Sequence, residues 1–249
     1  MKVTGLQMDI EWSSPRENIK SVERMLSSAD HSDLYVLPEM WSTGFAIDPR
    51  GIAETDGGTL QWMRTTAQSL GSALCGSLSI YESGKYRNRH YFVKPDGTYE
   101  WYDKHHLFRP GQEDRYYTRG YVRTIVDWCD IRILLQTCYD LRFPVWSRYR
   151  GDYDAIIYVA NWPSKRIEVW DTLLRARAIE NQCYVMGVNR VGRDPYSSYN
   201  GHSAIIGPKG ELLCDSEHNE SDIINGMIDK ASLLRFREKF KVLDDRDQI

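Results

Sequence analysis

The stretch Ile131-Arg-Ile-Leu-Leu-Gln-Thr-Cys138-Tyr-Asp-Leu-Arg-Phe-Pro-Val-Trp146 is the part of the sequence around which the rest is organised. Its first half is a short apolar run with β-branched residues, which predicts a buried strand. The chain then turns at Cys138, and Pro144 favours the start of a helix. Backbone N–H groups at such a junction favour a thiolate and could hold an oxyanion. The alternative is that Cys138 only fills space in the core.

Composition and charge exclude several classes of protein. The chain has 249 residues, a net charge of −3 and a pI of about 6.1, so no electrostatic attraction to nucleic acid or anionic membrane is expected. No apolar run is long enough to span a bilayer, and Gln7 and Asp9 interrupt the N-terminal apolar segment, so no signal peptide is expected. Five scattered cysteines indicate reduced thiols in a cytoplasmic protein, without disulfides or a zinc site.

The local patterns predict a mixture of strand–helix units and β-hairpins. Strands are predicted over residues 3–10, 34–38, 73–81, 86–93, 98–102, 121–128, 131–137, 155–160, 184–191, 203–206, 211–214 and 223–228. Helices are predicted over residues 15–28 behind a capping box at Ser14, 60–70 behind a Thr59 cap, 166–181 and 230–240. Residues 104–120 lack a period and are predicted to form a long loop, and such loops often carry function. The charged segment after residue 240 is predicted to be mobile or bound to a partner.

The predicted strands leave two arrangements of the core open. Several strands are apolar nearly throughout, which predicts sheets that are covered on both faces. One doubly wound sheet would satisfy this pattern. Two sheets packed together, with helices outside each, would satisfy it equally well.

Polar side chains that follow the apolar strands are the candidates for chemistry. Glu39, Cys138 and Asn161 each come directly after such a strand, and ligand sites gather at the carboxyl ends of strands. A thiol nucleophile needs a base. His105 or His106 in the long loop is one candidate for that base. Glu39 is the other, because burial at the rim of a sheet would make its carboxylate a stronger base.

Four motifs then indicate a family. They are Leu37-Pro-Glu39-Met, Tyr102-Asp-Lys104-His-His-Leu-Phe, Cys138-Tyr-Asp-Leu-Arg-Phe-Pro and Val159-Ala-Asn-Trp162-Pro. Together they resemble the motifs of the nitrilase, or carbon–nitrogen hydrolase, superfamily, and specifically its bacterial omega-amidase branch. The resemblance extends over nearly the whole chain, from the first strand to Arg235-Phe-Arg-Glu-Lys-Phe240.

The resemblance implies both a fold and a set of roles. The fold is an α/β four-layer αββα sandwich, formed by one domain over residues 1–249 with a short tail from about residue 241. Glu39 matches the general base, Lys104 the catalytic lysine and Cys138 the nucleophile. Glu113 matches a second glutamate that positions the lysine and the substrate. The family also implies a homodimer or larger homo-oligomer, and the helix containing Trp170 and the segment near Phe240 are expected to contribute to it.

These residues form a complete reaction scheme without a metal or organic cofactor. Glu39 takes the thiol proton and Cys138 attacks an amide carbonyl. Lys104 and the backbone N–H of Tyr139 stabilise the oxyanion, and ammonia leaves. Glu39 then activates a water molecule that hydrolyses the thioester. Resemblance implies small 2-oxo-dicarboxylic acid monoamides as substrates, namely 2-oxoglutaramate and 2-oxosuccinamate. A nitrilase, an N-carbamoyl amidohydrolase and a relative that binds a metabolite without turnover remain as alternatives.

Six residues are candidates for binding the substrate. Tyr139 would donate its backbone N–H, and Phe45 and Trp162 either line the pocket or belong to the core. An anionic substrate needs a cation or a group of donors. Three candidates for that anchor are Arg142, Arg166 and Tyr117. The alternative for Arg142 is an ion pair with Asp140 that braces the turn.

Overall fold

Two six-stranded sheets form the centre of the molecule in a computed structural model that describes residues 1–247. The strands are β1 (Lys2–Gln7), β2 (Leu34–Val36), β3 (Ala73–Glu82), β4 (Lys85–Val93), β5 (Tyr99–Asp103), β6 (Ile125–Trp128), β7 (Ile131–Thr137), β8 (Ala155–Val159), β9 (Tyr184–Val188), β10 (Val191–Arg193), β11 (Ser198–Asn200), β12 (Ala204–Ile206), β13 (Leu212–Asp215) and β14 (Asp222–Met227). The helices are α1 (Pro15–Ser28), α2 (Gly58–Leu70), α3 (Pro144–Ser147), α4 (Ile167–Asn181) and α5 (Lys230–Lys239). None of these helices is both long and apolar enough to cross a membrane.

The two sheets pack face to face, and helices cover their outer faces. The first sheet has the strand order β14-β1-β2-β3-β4-β5, and the second has the order β13-β12-β9-β8-β7-β6. Inner side chains of both sheets, such as Phe92 and Val159, share one buried cluster. Val22 of α1 packs on the first sheet and Trp170 of α4 packs on the second. The four-layer sandwich is therefore confirmed, and the alternative of one doubly wound sheet is wrong.

Two helix starts differ from the predicted capping. Helix α1 begins at Pro15 as predicted, but the Ser14 side chain makes no cap bond, and its hydroxyl donates to the backbone oxygen of Trp12 at 3.1 Å. Helix α2 is preceded by Gly57 in the left-handed region, with φ of +71°, and not by a Thr59 cap. The N–H of Thr59 instead donates to Glu54 at 3.2 Å. The Glu54 carboxylate, which lies outside the helix, thus accepts a backbone N–H of the first turn as a capping side chain would.

Three further segments differ from the predicted boundaries. The predicted strand at 184–191 divides into β9 and β10 because Asn189 bonds both the backbone N–H and the C=O of Trp162, at 2.7 and 3.0 Å. Strand β6 begins only at Ile125. The tail is predicted to be mobile or bound to a partner, whereas Val242–Asp245 form a 3₁₀ turn whose Leu243 is buried within the same chain. Residues 248–249, the last part of the predicted tail, lie outside the described residues.

The fold brings four strand ends to one place between the sheets. Glu39 follows β2 and Lys104 follows β5 in the first sheet. Cys138 follows β7 and Asn161 follows β8 in the second. All four residues line the same cavity, at the carboxyl ends of β2 and β5 in the first sheet and of the adjacent strands β7 and β8 in the second.

Candidate active site

A buried ammonium group held by two carboxylates lies at the centre of the site. Lys104 Nζ is 2.8 Å from Glu39 Oε1 and 3.0 Å from Glu113 Oε2, and all three side chains are fully buried. Burial acts to lower the pKa of Lys104, but the Glu113 and Glu39 carboxylates outweigh it and raise that pKa well above its usual value. Lys104 therefore stays a cation at any physiological pH.

Backbone contacts hold the loop at 104–120 closed around this group. The Lys104 N–H donates to Asn88 O at 2.9 Å, and Gly120 N–H donates to Lys104 O at 3.0 Å. A Cβ on Gly120 would lie 2.2 Å from Asp103 O, so only glycine permits this approach. Within the loop, the N–H of Phe108 donates to Glu113 Oε2 at 2.5 Å. The predicted long loop is thus a fixed support for Glu113.

Glu39 is tied to both sheets. The N–H of Asn161 donates to Glu39 Oε2 at 2.9 Å, and the Asn161 side chain donates to the Glu39 backbone oxygen. Asn88 Nδ2 donates to Glu39 Oε1 at 2.7 Å and to Glu113 Oε1 at 3.2 Å. Our sequence reasoning missed Asn88. The sequence carried no clear signal for it, because Asn88 lies between Arg87 and Arg89 in the charged half of a predicted strand, where a polar side chain is expected to face solvent.

Cys138 begins the 3₁₀ turn Cys138–Arg142 with a φ of +45°, a left-handed conformation that a residue with a side chain rarely adopts. Its Sγ lies 4.0 Å from Asn161 O. Burial raises the pKa of the Cys138 thiol well above its usual value, and the nearby Glu39 carboxylate adds to this against the opposing effect of Lys104. The expectation that the helix start favours a thiolate is therefore wrong for the resting site. The thiol is neutral and needs a base.

The turn that carries Cys138 is braced by Asp140. Asp140 accepts from Tyr102 Oη at 2.8 Å, from Thr137 N at 3.1 Å, and from His106 N and Nδ1 at 2.9 and 2.8 Å. These donors fill both carboxylate oxygens. The alternative of an Arg142–Asp140 ion pair is therefore wrong.

The two loop histidines also have structural partners. His105 stacks on Trp146 with 3.7 Å between ring centroids, and its Nδ1 lies 2.6 Å from Gly120 O. His106 stacks on Phe143 with a centroid distance of 3.9 Å. Neither histidine lines the cavity that contains Cys138. The alternative of a histidine base is not supported by this arrangement.

A cavity of about 580 Å³, including its open mouth, lies against these groups. Five of the six predicted substrate-binding residues line it, namely Phe45, Tyr139, Arg142, Trp162 and Arg166. Four lining residues come from the β10–β11 hairpin, which the sequence did not predict, and these are Asp194, Tyr196, Ser197 and Tyr199.

The sixth predicted residue, Tyr117, does not line the cavity, and its assignment as an anchor is wrong. Its hydroxyl is buried, 2.8 Å from Ser79 Oγ and 2.8 Å from Ala46 O. Arg142 lies over the ring of Trp162 at 5.2 Å, and Arg166 lies over the ring of Phe108 at 5.3 Å. Within residues 1–247 neither arginine forms an ion pair. Both guanidinium groups are therefore available to an anion, although the Asp194 carboxylate, which accepts from Tyr199 Oη at 2.6 Å, also lines the cavity.

The four-layer fold is that of the nitrilase superfamily, and the family match and relatives described next identify an amide-hydrolysing enzyme. Residues 2–238 match the family model for carbon–nitrogen hydrolases, and the chain belongs to that family. It is 41% identical to the omega-amidase YafV of Escherichia coli K12, over 100% of this chain and 97% of the relative. It is 34% identical to a 2-oxoglutaramate amidase of Bacillus subtilis, over 98% and 96%.

A solved structure gives the same result for the fold. It is that of a CN-hydrolase superfamily protein from Xanthomonas campestris with an arsenic adduct in its active site. That structure is 38% identical to this chain and superposes with a TM-score of 0.96, covering 100% of this chain and 98% of the other.

Proposed function

We propose that the enzyme hydrolyses the terminal amide of short 2-oxo-dicarboxylic acid monoamides, such as 2-oxoglutaramate and 2-oxosuccinamate, to the diacid and ammonia. The observation that carries this proposal is one cavity that contains a thiol, a carboxylate and an ammonium group together with two guanidinium groups that form no ion pair within the described chain. The full-length similarity to an omega-amidase and to a 2-oxoglutaramate amidase supports the choice of substrate. Free cysteines throughout the chain support a reducing compartment, the cytoplasm.

The hydrogen bonds of Glu113 argue that it is not the base. An ionised carboxylate offers about four lone-pair sites. Glu113 Oε1 accepts from Asn88 Nδ2 and Lys104 Nζ, both at 3.2 Å. Its Oε2 accepts from Phe108 N and Lys104 Nζ at 2.5 and 3.0 Å. All four sites are occupied, which leaves no site for a proton from the thiol.

Glu39 has one lone-pair site left. Its Oε1 accepts from Lys104 Nζ and Asn88 Nδ2, at 2.8 and 2.7 Å. Its Oε2 accepts only from Asn161 N at 2.9 Å. The open site on Oε2 is on the oxygen that faces the second sheet, where Cys138 lies. This supports Glu39 Oε2 as the atom that accepts the thiol proton.

Lys104 has one N–H left for the substrate. An ammonium group carries three donors. One is directed to Glu39, and a second is shared between the two oxygens of Glu113. The third can meet the carbonyl oxygen of a bound amide, where negative charge develops in the transition state.

The proposed reaction has two halves. In the first, the proton moves from Cys138 Sγ to Glu39 Oε2 while Sγ bonds to the amide carbon, and the carbonyl electrons form an oxyanion that Lys104 stabilises. The oxyanion collapses, the C–N bond breaks, and the proton on Glu39 moves to the departing nitrogen, which leaves as ammonia. In the second half, Glu39 takes a proton from water as its oxygen attacks the thioester. The C–S bond then breaks, the proton on Glu39 moves to the departing sulfur, and the acid is released with the thiol and the carboxylate restored.

We expect that removing either cavity arginine weakens binding of anionic substrates selectively. Arg142→Leu and Arg166→Leu should each raise KM for 2-oxoglutaramate, and the larger increase, about 10- to 100-fold, identifies the carboxylate anchor. KM for a neutral amide of matched length should change by less than about threefold, because no charged contact is lost. Steady-state kinetics with both substrates measures the difference.

Arg150→Leu is the matched control, since Arg150 is exposed and does not line the cavity. A nitrile analogue of matched length is the third substrate. Equal use of the neutral amide by the wild-type enzyme would contradict the anionic substrate class. A clear preference for the nitrile would favour the alternative of a nitrilase while leaving the thiol chemistry in place.

We also propose that the enzyme is a homodimer, paired across the outer face of α4 and α5. Three apolar side chains on these helices and at the end of α5 are half exposed, namely Ile179 at 50%, Leu234 at 50% and Phe240 at 59%. Gln182 Nε2 donates to Phe240 O at 2.8 Å, so the ends of the two helices are adjacent. Trp170 itself is fully buried within its own chain and does not reach this face.

Light scattering at micromolar protein is expected to give twice the chain mass of 29.0 kDa. The double variant Ile179→Asp and Phe240→Asp should give the mass of one chain, because two buried carboxylates oppose pairing. Val122→Asp is the control, since Val122 is 72% exposed and lies on the segment before β6, outside both helices. A wild-type protein that has the mass of one chain would contradict the dimer.

A further inference from the structure

Asn88 contacts both carboxylates of the site, and its orientation is set by a chain of hydrogen bonds. Met40 N donates to Ser77 Oγ at 2.9 Å, so the Ser77 hydroxyl is free to donate. It donates to Asn88 Oδ1 at 2.8 Å. The amide oxygen of Asn88 therefore faces Ser77, and both N–H groups of Nδ2 face Glu39 and Glu113.

The same chain supports the backbone at Glu39. Met40, the next residue, has a φ of +44°, so the turn after β2 is in the left-handed region. The bond from Met40 N to Ser77 secures this turn. Asn88 thus acts on Glu39 from two sides, directly at the carboxylate and indirectly through Ser77 and the backbone. Asn88 is 1% exposed and does not line the cavity, so it contacts no substrate.

We infer that Asn88 is a positioning residue that selects Oε2 of Glu39 as the basic atom. This inference rests on the proposed function, in which Glu39 takes the proton of Cys138. The Asn88 and Lys104 donors together occupy both lone-pair sites of Glu39 Oε1, and only Oε2 remains open. Without the Asn88 donor, one lone pair of Glu39 Oε1 becomes free beside Lys104. A proton bound at that oxygen is not exchanged with the Cys138 thiol.

The Asn88 amide also stabilises the two neighbouring carboxylates, because it donates one N–H to each of them. Glu39 acts to raise the pKa of Glu113, which burial raises first and Lys104 opposes. Each carboxylate receives one N–H of the same amide, which favours the charged form of Glu113. An apolar side chain at residue 88 would leave both carboxylates with fewer donors.

Asn88→Leu is expected to lower kcat by about 100-fold, because general-base catalysis contributes roughly that much or more. KM should change by less than about threefold, since the cavity wall is unchanged. Ser77→Ala removes the hydroxyl that orients the amide and accepts the Met40 N–H but keeps the Asn88 donors, so kcat should fall by roughly tenfold. Inactivation by iodoacetamide, without substrate and with the modified cysteine mapped by mass spectrometry, should slow by the same factors at Cys138.

Asn88→Asp adds a readout that a purely structural role would not change. The introduced carboxyl group can still donate one O–H while it is neutral, whereas its ionised form cannot donate and adds a third carboxylate. The kcat of this variant should therefore peak on the acid side of the wild-type profile and decrease as the pH rises. The control is Asn181→Leu, since Asn181 is equally buried in α4 with bonds to Arg177 O and Tyr149 N. It should lower the melting temperature but leave kcat and the pH profile unchanged.

Each outcome has a defined meaning. If Cys138→Ala keeps its activity, the proposed function fails and the inference with it. If Cys138→Ala is inactive but all three variants at residues 77 and 88 keep wild-type kcat, alkylation rates and pH profiles, only the role of Asn88 is wrong. If Asn88→Leu does not fold, Ser77→Ala and Asn88→Asp decide the question by the same measurements.

Discussion

Cys138→Ala is expected to leave a folded protein whose amide turnover is lower by about 10⁴-fold or more. No other group that lines the cavity can form the thioester, because Cys138 is the one cysteine among the lining residues of the described chain. The backbone at this position already has a φ of +45° with a side chain present, so alanine adds no new strain. The measurement is ammonia release, with the melting temperature as the test of folding.

Single alanine variants of the other four cysteines are the controls for this loss. Cys75 and Cys183 are buried, Cys129 is exposed, and Cys214 is partly exposed. None of them lines the cavity, so each variant should keep wild-type kcat/KM. Substantial turnover by Cys138→Ala would overturn the thiol mechanism, whereas loss of turnover in a control variant would indicate a second essential thiol.

Strand ends could be predicted from the sequence because they depend on short-range pattern. Apolar runs located β2, β7 and β8, and the residues just after them, Glu39, Cys138 and Asn161, do meet at one rim. The same runs could not decide between one sheet and two. A strand that is buried on both faces has the same composition whether a helix or a second sheet covers it.

Side-chain partners could not be predicted, because they join residues that are distant in sequence. Asn161 contacts Glu39 across 122 positions, and Lys104 contacts Glu39 across 65. The sequence made Tyr117 and Arg142 candidates for a carboxylate anchor. In the structure the Tyr117 hydroxyl contacts Ser79, and the Arg142 guanidinium lies over the ring of Trp162. The direction of a side chain in a loop depends on such contacts, and no local period encodes it.

The state of the thiol is a similar case. A cysteine at a strand end before a proline-led helix suggested a lowered pKa. In the structure α3 begins only at Pro144, and desolvation of the partly buried thiol, together with the nearby Glu39 carboxylate, raises the pKa of Cys138 instead. Desolvation outweighs the dipole of a short turn, because a helix terminus contributes only about 0.3–1 kcal/mol at most sites. This is why the mechanism that we propose relies on Glu39 as the base and not on a preformed thiolate.

Lys104→Met is expected to reduce both activity and stability. Turnover should fall by about 10³-fold or more, because the oxyanion loses its cationic partner and Glu39 loses one of its donors. Removing one partner of a buried ion pair typically costs about 3–5 kcal/mol, since the remaining charges stay buried without compensation. Here two carboxylates, Glu39 and Glu113, would remain without their shared cation.

The stability loss should depend on pH with a defined sign. Lys104 is the main group that lowers the pKa of Glu113, so its removal raises that pKa further above the value in the unfolded chain. A group whose pKa is raised on folding stabilises the protein below its unfolded pKa, and this is lost as the pH rises through its folded pKa. Urea denaturation should therefore show a larger deficit for Lys104→Met at about pH 8 than at about pH 5.

A double variant separates charge from packing. Adding Glu113→Gln to Lys104→Met removes one of the two buried carboxylates, so it should recover part of the stability at the higher pH but none of the activity. Lys20→Met is the surface control, because Lys20 pairs with the exposed Glu17 and its loss should change stability by less than about 1 kcal/mol. If Lys104→Met were as stable and as active as the wild type, Lys104 could not be the group that holds Glu39 in place and stabilises the oxyanion.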